Sequence, residues 1–183
     1  MNGRVLPEGV RIVEHARHVD GRGSFTEVFR QNWNTGVTPV QWNVVHSAAK
    51  TLRGVHAHIG HQDYLLVVSG ELHLGLHDLR SDSPTAGMSG IYVMTQDSPE
   101  AIVIPTGVAH GFYFPGPATY LYAVSAYWGS EGQLGCRWDD PALGLDWDLA
   151  DAPMVSPRDE AAGSLADLKH AFDTSRLRVV AGG

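Results

Sequence analysis

Between residues 40 and 127 short apolar runs alternate with breaks at Gly, Pro, Asp and Ser, and this pattern constrains the fold more than any other feature of the chain. The runs are VQWNVVH, TLRGVHAH, YLLVVSG, ELHLGLHDL, GIYVMT, AIVIP, HGFYF and TYLYAVSAY. They are rich in β-branched and aromatic side chains, which fit a pleated, half-buried surface. Strands at this spacing predict an all-β sandwich or barrel. ELHLGLHDL alternates strictly, which puts Leu72, Leu74 and Leu76 on one face and His73, Gly75 and His77 on the other. Ser69-Gly70 is expected to close a tight hairpin. Upstream, Asp20-Gly21-Arg22-Gly23 signals a turn, and residues 24–29 (SFTEVF) read as a strand. Residues 128–160 are rich in Gly, Pro, Asp and Trp and are expected to form ordered loop packed back on the body. Ser164 then opens a C-terminal helical segment as its N-cap, with Leu165, Leu168 and Phe172 at i, i+3 and i+7. No repeat or linker divides the 183 residues, so a single domain spanning residues 1–183 is expected.

Composition excludes several function classes. The net charge of -7 argues against a general nucleic-acid binder, which would carry a basic stripe. No apolar stretch approaches the roughly 20 residues of a membrane helix, and the N-terminal MNGRVLPEGVRIVEH lacks a basic segment followed by an apolar run. A single cysteine, Cys136, excludes an intramolecular disulfide, so a cytoplasmic location is expected. Lys50 and Lys169 are the only lysines. The other cations are arginines, whose forked guanidinium suits a bidentate grip on phosphate or carboxylate.

Two histidine motifs carry the chemistry. Gly54-Val55-His56-Ala57-His58, followed by Asp63 and Gly70, approximates the first motif of the cupin barrels: H-x-H, an acid a few residues on, then a turn glycine. Pro105-Thr106-Gly107-Val108-Ala109-His110 approximates the second. Residues two apart in a strand share a face, so His56 and His58 are expected to point the same way, into a barrel where His110 joins them. His15, His18, His46, His73, His77 and His170 read as surface or hydrogen-bonded structural residues, and His61 falls in a loop. These motifs indicate a cupin jelly-roll barrel without fixing a reaction.

Further segments resemble one cupin branch, the dTDP-4-dehydrorhamnose 3,5-epimerase family. Asp20-Gly21-Arg22-Gly23-Ser24-Phe25-Thr26-Glu27 resembles its D-x-R-G-x-F-x-E segment, Gln41-Trp42-Asn43 its Q-x-N strand, and Leu52-Arg53-Gly54-Val55-His56 its L-R-G-L-H motif. Residues 104–112 (IPTGVAHGF) resemble I-P-x-G-x-A-H-G-F, and Leu121-Tyr122 with Tyr127-Trp128 resembles the L-Y and paired-aromatic region. Arg137-Trp138-Asp139-Asp140-Pro141, Gly144-Leu145-Asp146-Trp147 and Ser156-Pro157-Arg158-Asp159 resemble R-W-N-D-P, G-I-x-W and S-x-x-D. The resemblance implies an isomerase that inverts C3, C5 or both of a nucleoside-diphosphate-linked 4-keto-6-deoxy sugar, with no metal and no redox cofactor. It implies His56 as base, Asp159 as the carboxylate partner of His56, and Tyr122 as acid on the opposite face of the sugar. Arg53 and His110 are then substrate contacts that stabilise developing charge, while Arg22, Phe25, Glu27, Gln41 and Asn43 are nucleotide-side contacts. The Arg-Gly segment of the family reaches across a dimer interface, so a homodimer is implied.

One position departs from the family pattern. Shortly after L-R-G-L-H the family carries a lysine that helps stabilise the enolate oxygen, and the equivalent position here is Asp63, counted with the substrate-binding set. A carboxylate beside a developing enolate is destabilising unless a cation intervenes. Either Asp63 holds His58 or His61 protonated in place of the lysine, or His56, His58, Asp63 and His110 hold a metal ion. His-Ala-His followed by Gln62 also resembles the sugar 3,4-ketoisomerases. A non-catalytic sugar-nucleotide-binding module remains the alternative outside enzymes, and the set Arg53, His56, Tyr122 and Asp159 separates the two.

Overall fold

Leu72, Leu74 and Leu76 all point into one apolar core, together with Leu65, Tyr92, Met94, Ile102, Ile104, Val108 and Phe114. That core lies between two antiparallel sheets of a computed structural model describing residues 6–127, 129 and 133–181. The first sheet has the order β1 (Arg11–Glu14), β9 (Glu100–Ile104), β6 (Asp63–Ser69), β11 (Ala118–Val124), β4 (Gln41–Ser47). The second has the order β12 (Leu134–Gly135), β5 (Thr51–Ala57), β10 (Val108–Phe114), β7 (Glu71–Asp78), β8 (Ser89–Thr95). Between β4 and β11 the chain crosses from one sheet to the other at almost every connection, which makes the sandwich a jelly roll, the cupin architecture.

Those crossings correct the expected hairpin at Ser69-Gly70. β6 and β7 belong to different sheets, so Gly70 is a corner and not the turn of a paired ribbon. Its φ of +82° suits glycine, and a Cβ there would lie 2.5 Å from the Pro117 carbonyl oxygen. The strand expected over residues 24–29 is also shorter. β2 (Arg17–Asp20) and β3 (Gly23–Thr26) form an isolated two-stranded ribbon, and the chain leaves it after Thr26. Phe29 and Val28 then pack on the outer face of the first sheet, against Tyr64, Leu66 and Val103.

The outer face of the second sheet is covered by the C-terminal third. Cys136, Leu143, Trp147, Leu165, Leu168 and Phe172 pack there against Leu52, Val55, Ala57, Ala109 and Tyr113. This explains why β7 is buried on both faces although its sequence alternates. Helix α2 (Leu165–Ala181) begins where expected. Ser164 Oγ accepts from the Asp167 amide at 3.2 Å and Asp167 Oδ2 accepts from the Ser164 amide at 2.9 Å, a reciprocal cap. Leu165, Leu168 and Phe172 are the buried stripe of this helix. Among the described residues, no helix is long and apolar enough to cross a membrane. Met1–Val5 and Trp128, which entered the readings of the N-terminus and of the paired aromatics, lie outside the described residues.

Candidate active site

A cavity of about 460 Å³ opens between the two sheets at one end of the sandwich. The second sheet supplies Arg53 and His56 from β5 and His110 from β10, with His58 just after β5. The first supplies Asp63 and Leu65 from β6, Tyr120 and Tyr122 from β11, and Val45 from β4. Register fixes these neighbours: His110 stands opposite His56 across β10 and β5, and Tyr122 stands opposite Leu65 across β11 and β6.

Asp159 reaches this site from 103 residues away. The segment before it runs beside β5, where the Leu52 amide donates to the Met154 carbonyl at 2.9 Å and the Met154 amide to the Lys50 carbonyl at 2.7 Å. Ser156 then caps the one-turn helix α1 (Pro157–Glu160), with its side chain accepting from the Asp159 amide at 3.1 Å and Pro157 in the first turn. The buried Asp159 carboxylate accepts from His56 Nε2 at 2.7 Å and from the Gly54 amide at 3.3 Å. Burial opposes its ionisation, but the bond from His56, the Gly54 amide and Ser156 outweigh burial and hold its carboxyl below the ordinary range. An ionised Asp159 accepts only, so His56 Nε2 carries the proton and Nδ1 carries a lone pair. Gly54 is required at this approach: its φ is +116°, and a Cβ would lie 2.8 Å from the Gly111 Cα.

Tyr122 lines the cavity from the other sheet, on β11. Its hydroxyl pKa is raised by burial and by the charge of Asp63, against the opposing effect of Arg53, so it remains a proton donor. Its ring stacks on Tyr120 with centroids 6.0 Å apart. Arg53 Nε donates to Ser47 Oγ at 3.2 Å, which holds the guanidinium at the cavity wall.

Asp63 does not hold a histidine in the charged form, and that expectation is corrected. Nε2 of His58, His61 and His110 each lies 3.9 Å from a carboxylate oxygen of Asp63, too far for a hydrogen bond. Burial, followed by the neighbouring rings of His110, His61 and His56, pushes His58 down to about 2. Burial lowers His61 as well and brings His110 to about 4, while it pushes the Asp63 carboxyl up to about 7. Low-dielectric packing outweighs charge attraction at this distance.

The other expected contacts divide. Arg53, His56, Asp63, His110, Tyr122 and Asp159 line one cavity. Arg22 and Phe25 do not. They sit on the β2–β3 ribbon around a separate surface depression, and Arg22 is bound to its own neighbour Asp20 at 2.6 Å. Glu27 pairs with Arg30 on the surface. Gln41 and Asn43 share the inward face of β4 with Val45 but lie outside the cavity lining, and Gln41 Nε2 donates to Asn43 Oδ1 at 2.9 Å. The structure adds Arg158, Gln133 and Tyr120 to the lining. Arg158 was within the quoted Ser156–Asp159 motif, and its cap signal places it on the turn that carries Asp159. Nothing in the sequence pattern pointed to Gln133.

The model of the dTDP-4-dehydrorhamnose 3,5-epimerase family matches residues 6–167. The chain belongs to that family. By family it is a carbohydrate epimerase, an isomerase. A family member from Neisseria gonorrhoeae, named dTDP-4-dehydrorhamnose 3,5-epimerase, is 34% identical over 168 residues, which cover 88% of this chain and 51% of that one. The chain thus spans about half the length of that relative. Among solved structures of the family, the Mycobacterium tuberculosis rmlC epimerase superposes with a TM-score of 0.83 at 30% identity, covering 90% of this chain and 88% of that one. ChmJ, a 3'-monoepimerase from Streptomyces bikiniensis in complex with dTDP-quinovose, superposes with a TM-score of 0.82 at 28% identity, covering 95% and 96%.

Proposed function

We propose that this epimerase inverts C3, C5 or both of a nucleoside-diphosphate-linked 4-keto-6-deoxy sugar by proton transfer between opposite faces. The observation that carries the proposal is the placement of His56, bonded to Asp159, on one sheet and of Tyr122 on the other, all three lining one cavity. The C4 ketone acidifies the adjacent C–H bond. His56 Nδ1 removes that proton, the electron pair moves onto the C4 oxygen as an enolate, and the Tyr122 hydroxyl returns a proton to the opposite face. Asp159 holds His56 in the tautomer that leaves Nδ1 free and stabilises the imidazolium that forms. Arg53 faces the developing negative charge, where a positioned donor typically contributes a few kcal/mol. A binding module would have no use for an oriented base and a protonated phenol on opposite walls.

The same proposal includes a homodimer. β4 is an edge strand of the first sheet, and its outward face exposes Trp42 and Val44. The β2–β3 ribbon, with Val19 73% and Phe25 62% exposed, stands apart from the cavity of its own chain. Exposed edges and apolar patches of this kind require cover. A second copy covers both, and it allows Arg22 and Phe25 to serve a neighbouring cavity. The single free thiol, Cys136, is buried and suits a reducing cytoplasm. One domain accounts for all of the described residues.

Solvent exchange tests the reaction. In deuterium oxide the wild type is expected to wash deuterium into a 4-keto sugar nucleotide, and His56→Ala is expected to abolish both exchange and net conversion. Full exchange by a folded His56→Ala protein would overturn the assignment of the base.

A further inference from the structure

We propose that His58, His61 and Asp63 form a site for a divalent transition metal ion, with His110 as a fourth donor and His56 outside the set. One ligand atom from each of His58, His61 and Asp63 falls within 4.8 Å of the other two. The Asp63 carboxylate sits at the centre: Oδ2 is 3.9 Å from both His58 Nε2 and His110 Nε2, and Oδ1 is 3.9 Å from His61 Nε2. Imidazole nitrogens paired directly with a carboxylate would close to about 2.8 Å. These stand off from it instead. Donors around one ion at about 2.1 Å lie roughly 3.4 Å apart, so side-chain rotations bring His58, His61 and Asp63 to a common centre, and His110, outside that 4.8 Å group, joins by turning towards Asp63.

Two independent observations point to a ligand. His61 Nε2 is buried and has no hydrogen-bond partner, an arrangement that is unfavourable unless something occupies it. His110 Nδ1 donates to the Val108 carbonyl at 3.1 Å, so its Nε2 presents a lone pair towards Asp63. Metal-bound histidines are commonly oriented by such a second bond. The stacking of His58 on His61, with centroids 4.0 Å apart, brings two donors from a single loop to the same place.

The set is defined by what it leaves free. His56 Nε2 is bound to Asp159 at 2.7 Å and remains available as the base. His58, Asp63 and His110 line the cavity that holds the base, and His61 lines an adjoining depression that shares His58. Resting on the epimerase reading, the ion supplies a positive charge beside the cavity lined by His56 and Tyr122, offsetting the Asp63 carboxylate. Three imidazoles and one carboxylate suit Zn(II), Fe(II), Mn(II) or Ni(II).

Cobalt(II) titration followed by visible absorbance, with zinc competition, tests the site on untagged full-length protein stripped with EDTA. The wild type is expected to take up one ion per chain and to gain thermal stability on zinc addition. His61→Ala and Asp63→Asn are each expected to weaken uptake at least tenfold, while His56→Ala keeps it. His61 lies in a loop, so its variant is expected to melt like the metal-free wild type. No stoichiometric uptake by the wild type overturns the site, as does uptake that survives His61→Ala but is lost in His56→Ala. Deuterium wash-in, measured in parallel, separates the two proposals: uptake without exchange sinks the epimerase mechanism and keeps the ion, and exchange without uptake does the reverse.

Discussion

Replacing Asp159 by Asn keeps the shape of the side chain and removes its charge, which isolates the role of the carboxylate. In the native site both carboxylate oxygens accept, one from His56 Nε2 at 2.7 Å and one from the Gly54 amide at 3.3 Å. An amide offers one acceptor and one donor. If the Asn oxygen keeps the bond from Gly54, its NH2 group faces His56 Nε2 and forces that nitrogen to accept. The imidazole proton then moves to Nδ1, the nitrogen required as base. If the amide flips, its NH2 group is aimed at the Gly54 N–H, and a donor–donor clash is left in a buried place, costing about 1–3 kcal/mol. The first arrangement is therefore favoured, and it removes the base without removing the histidine. A positioned general base contributes roughly 10²–10⁴ in rate, which is about 2.7–5.5 kcal/mol of barrier. Turnover is expected to fall by that factor. Sugar-nucleotide affinity is expected to change less than threefold, because both Asp159 oxygens are taken up by His56 and the Gly54 amide. The assay is deuterium wash-in together with calorimetric binding of the substrate. An exchange rate in Asp159→Asn within threefold of the wild type would refute the tautomer argument.

Tyr122→Phe is expected to abolish net epimerisation while solvent exchange at the first carbon persists, since His56 still removes and returns the proton on its own face; loss of exchange in a folded variant would count against separate roles. Asp78→Asn tests the buried network in which Arg80 Nε donates at 2.8 Å and Ser83 and Thr85 hydroxyls at 2.6 Å. Burial alone would raise this carboxyl, but Arg80, Ser83 and Thr85 hold it down at about 2. A folded pKa below the unfolded one contributes stability that is present above about pH 4 and is lost as pH falls towards 2. The variant is therefore expected to lose about 3–5 kcal/mol at pH 7, read from urea midpoints, and the gap is expected to narrow on acidification to pH 3. A gap that widens would contradict the sign. Light scattering at micromolar concentration is expected to give the mass of a dimer, and charge placed on the exposed face through Val44→Glu is expected to shift it towards a monomer; a wild-type monomer would overturn the interface.

Strand segments and candidate site residues were legible in the sequence because their signals are local. The alternation of Leu72, Leu74 and Leu76 against His73, Gly75 and His77 follows from the two-residue period of a strand, and it was enough to define the core face of β7. Ser164 announced the start of α2 because a cap bonds amides within three residues. The motifs around His56, His110, Tyr122 and Asp159 gave the candidate base and acid together with their family. Relations between distant segments were not available in that form. A turn glycine looks the same whether it closes a hairpin or moves the chain between sheets, so Gly70 could be placed only by the pairing of β6 and β7 with other strands. Arg22 and Arg53 both stood in motifs expected at the substrate, yet one lines the cavity and the other lies on a separate ribbon. Asp63 was expected either to hold His58 or His61 protonated or to share a metal ion with His56, His58 and His110. The burial of Asp63 and the nearby His58, His61 and His110, which only the packing of the two sheets determines, favours the neutral forms of the rings and of the carboxyl alike, because desolvation outweighs attraction at 3.9 Å.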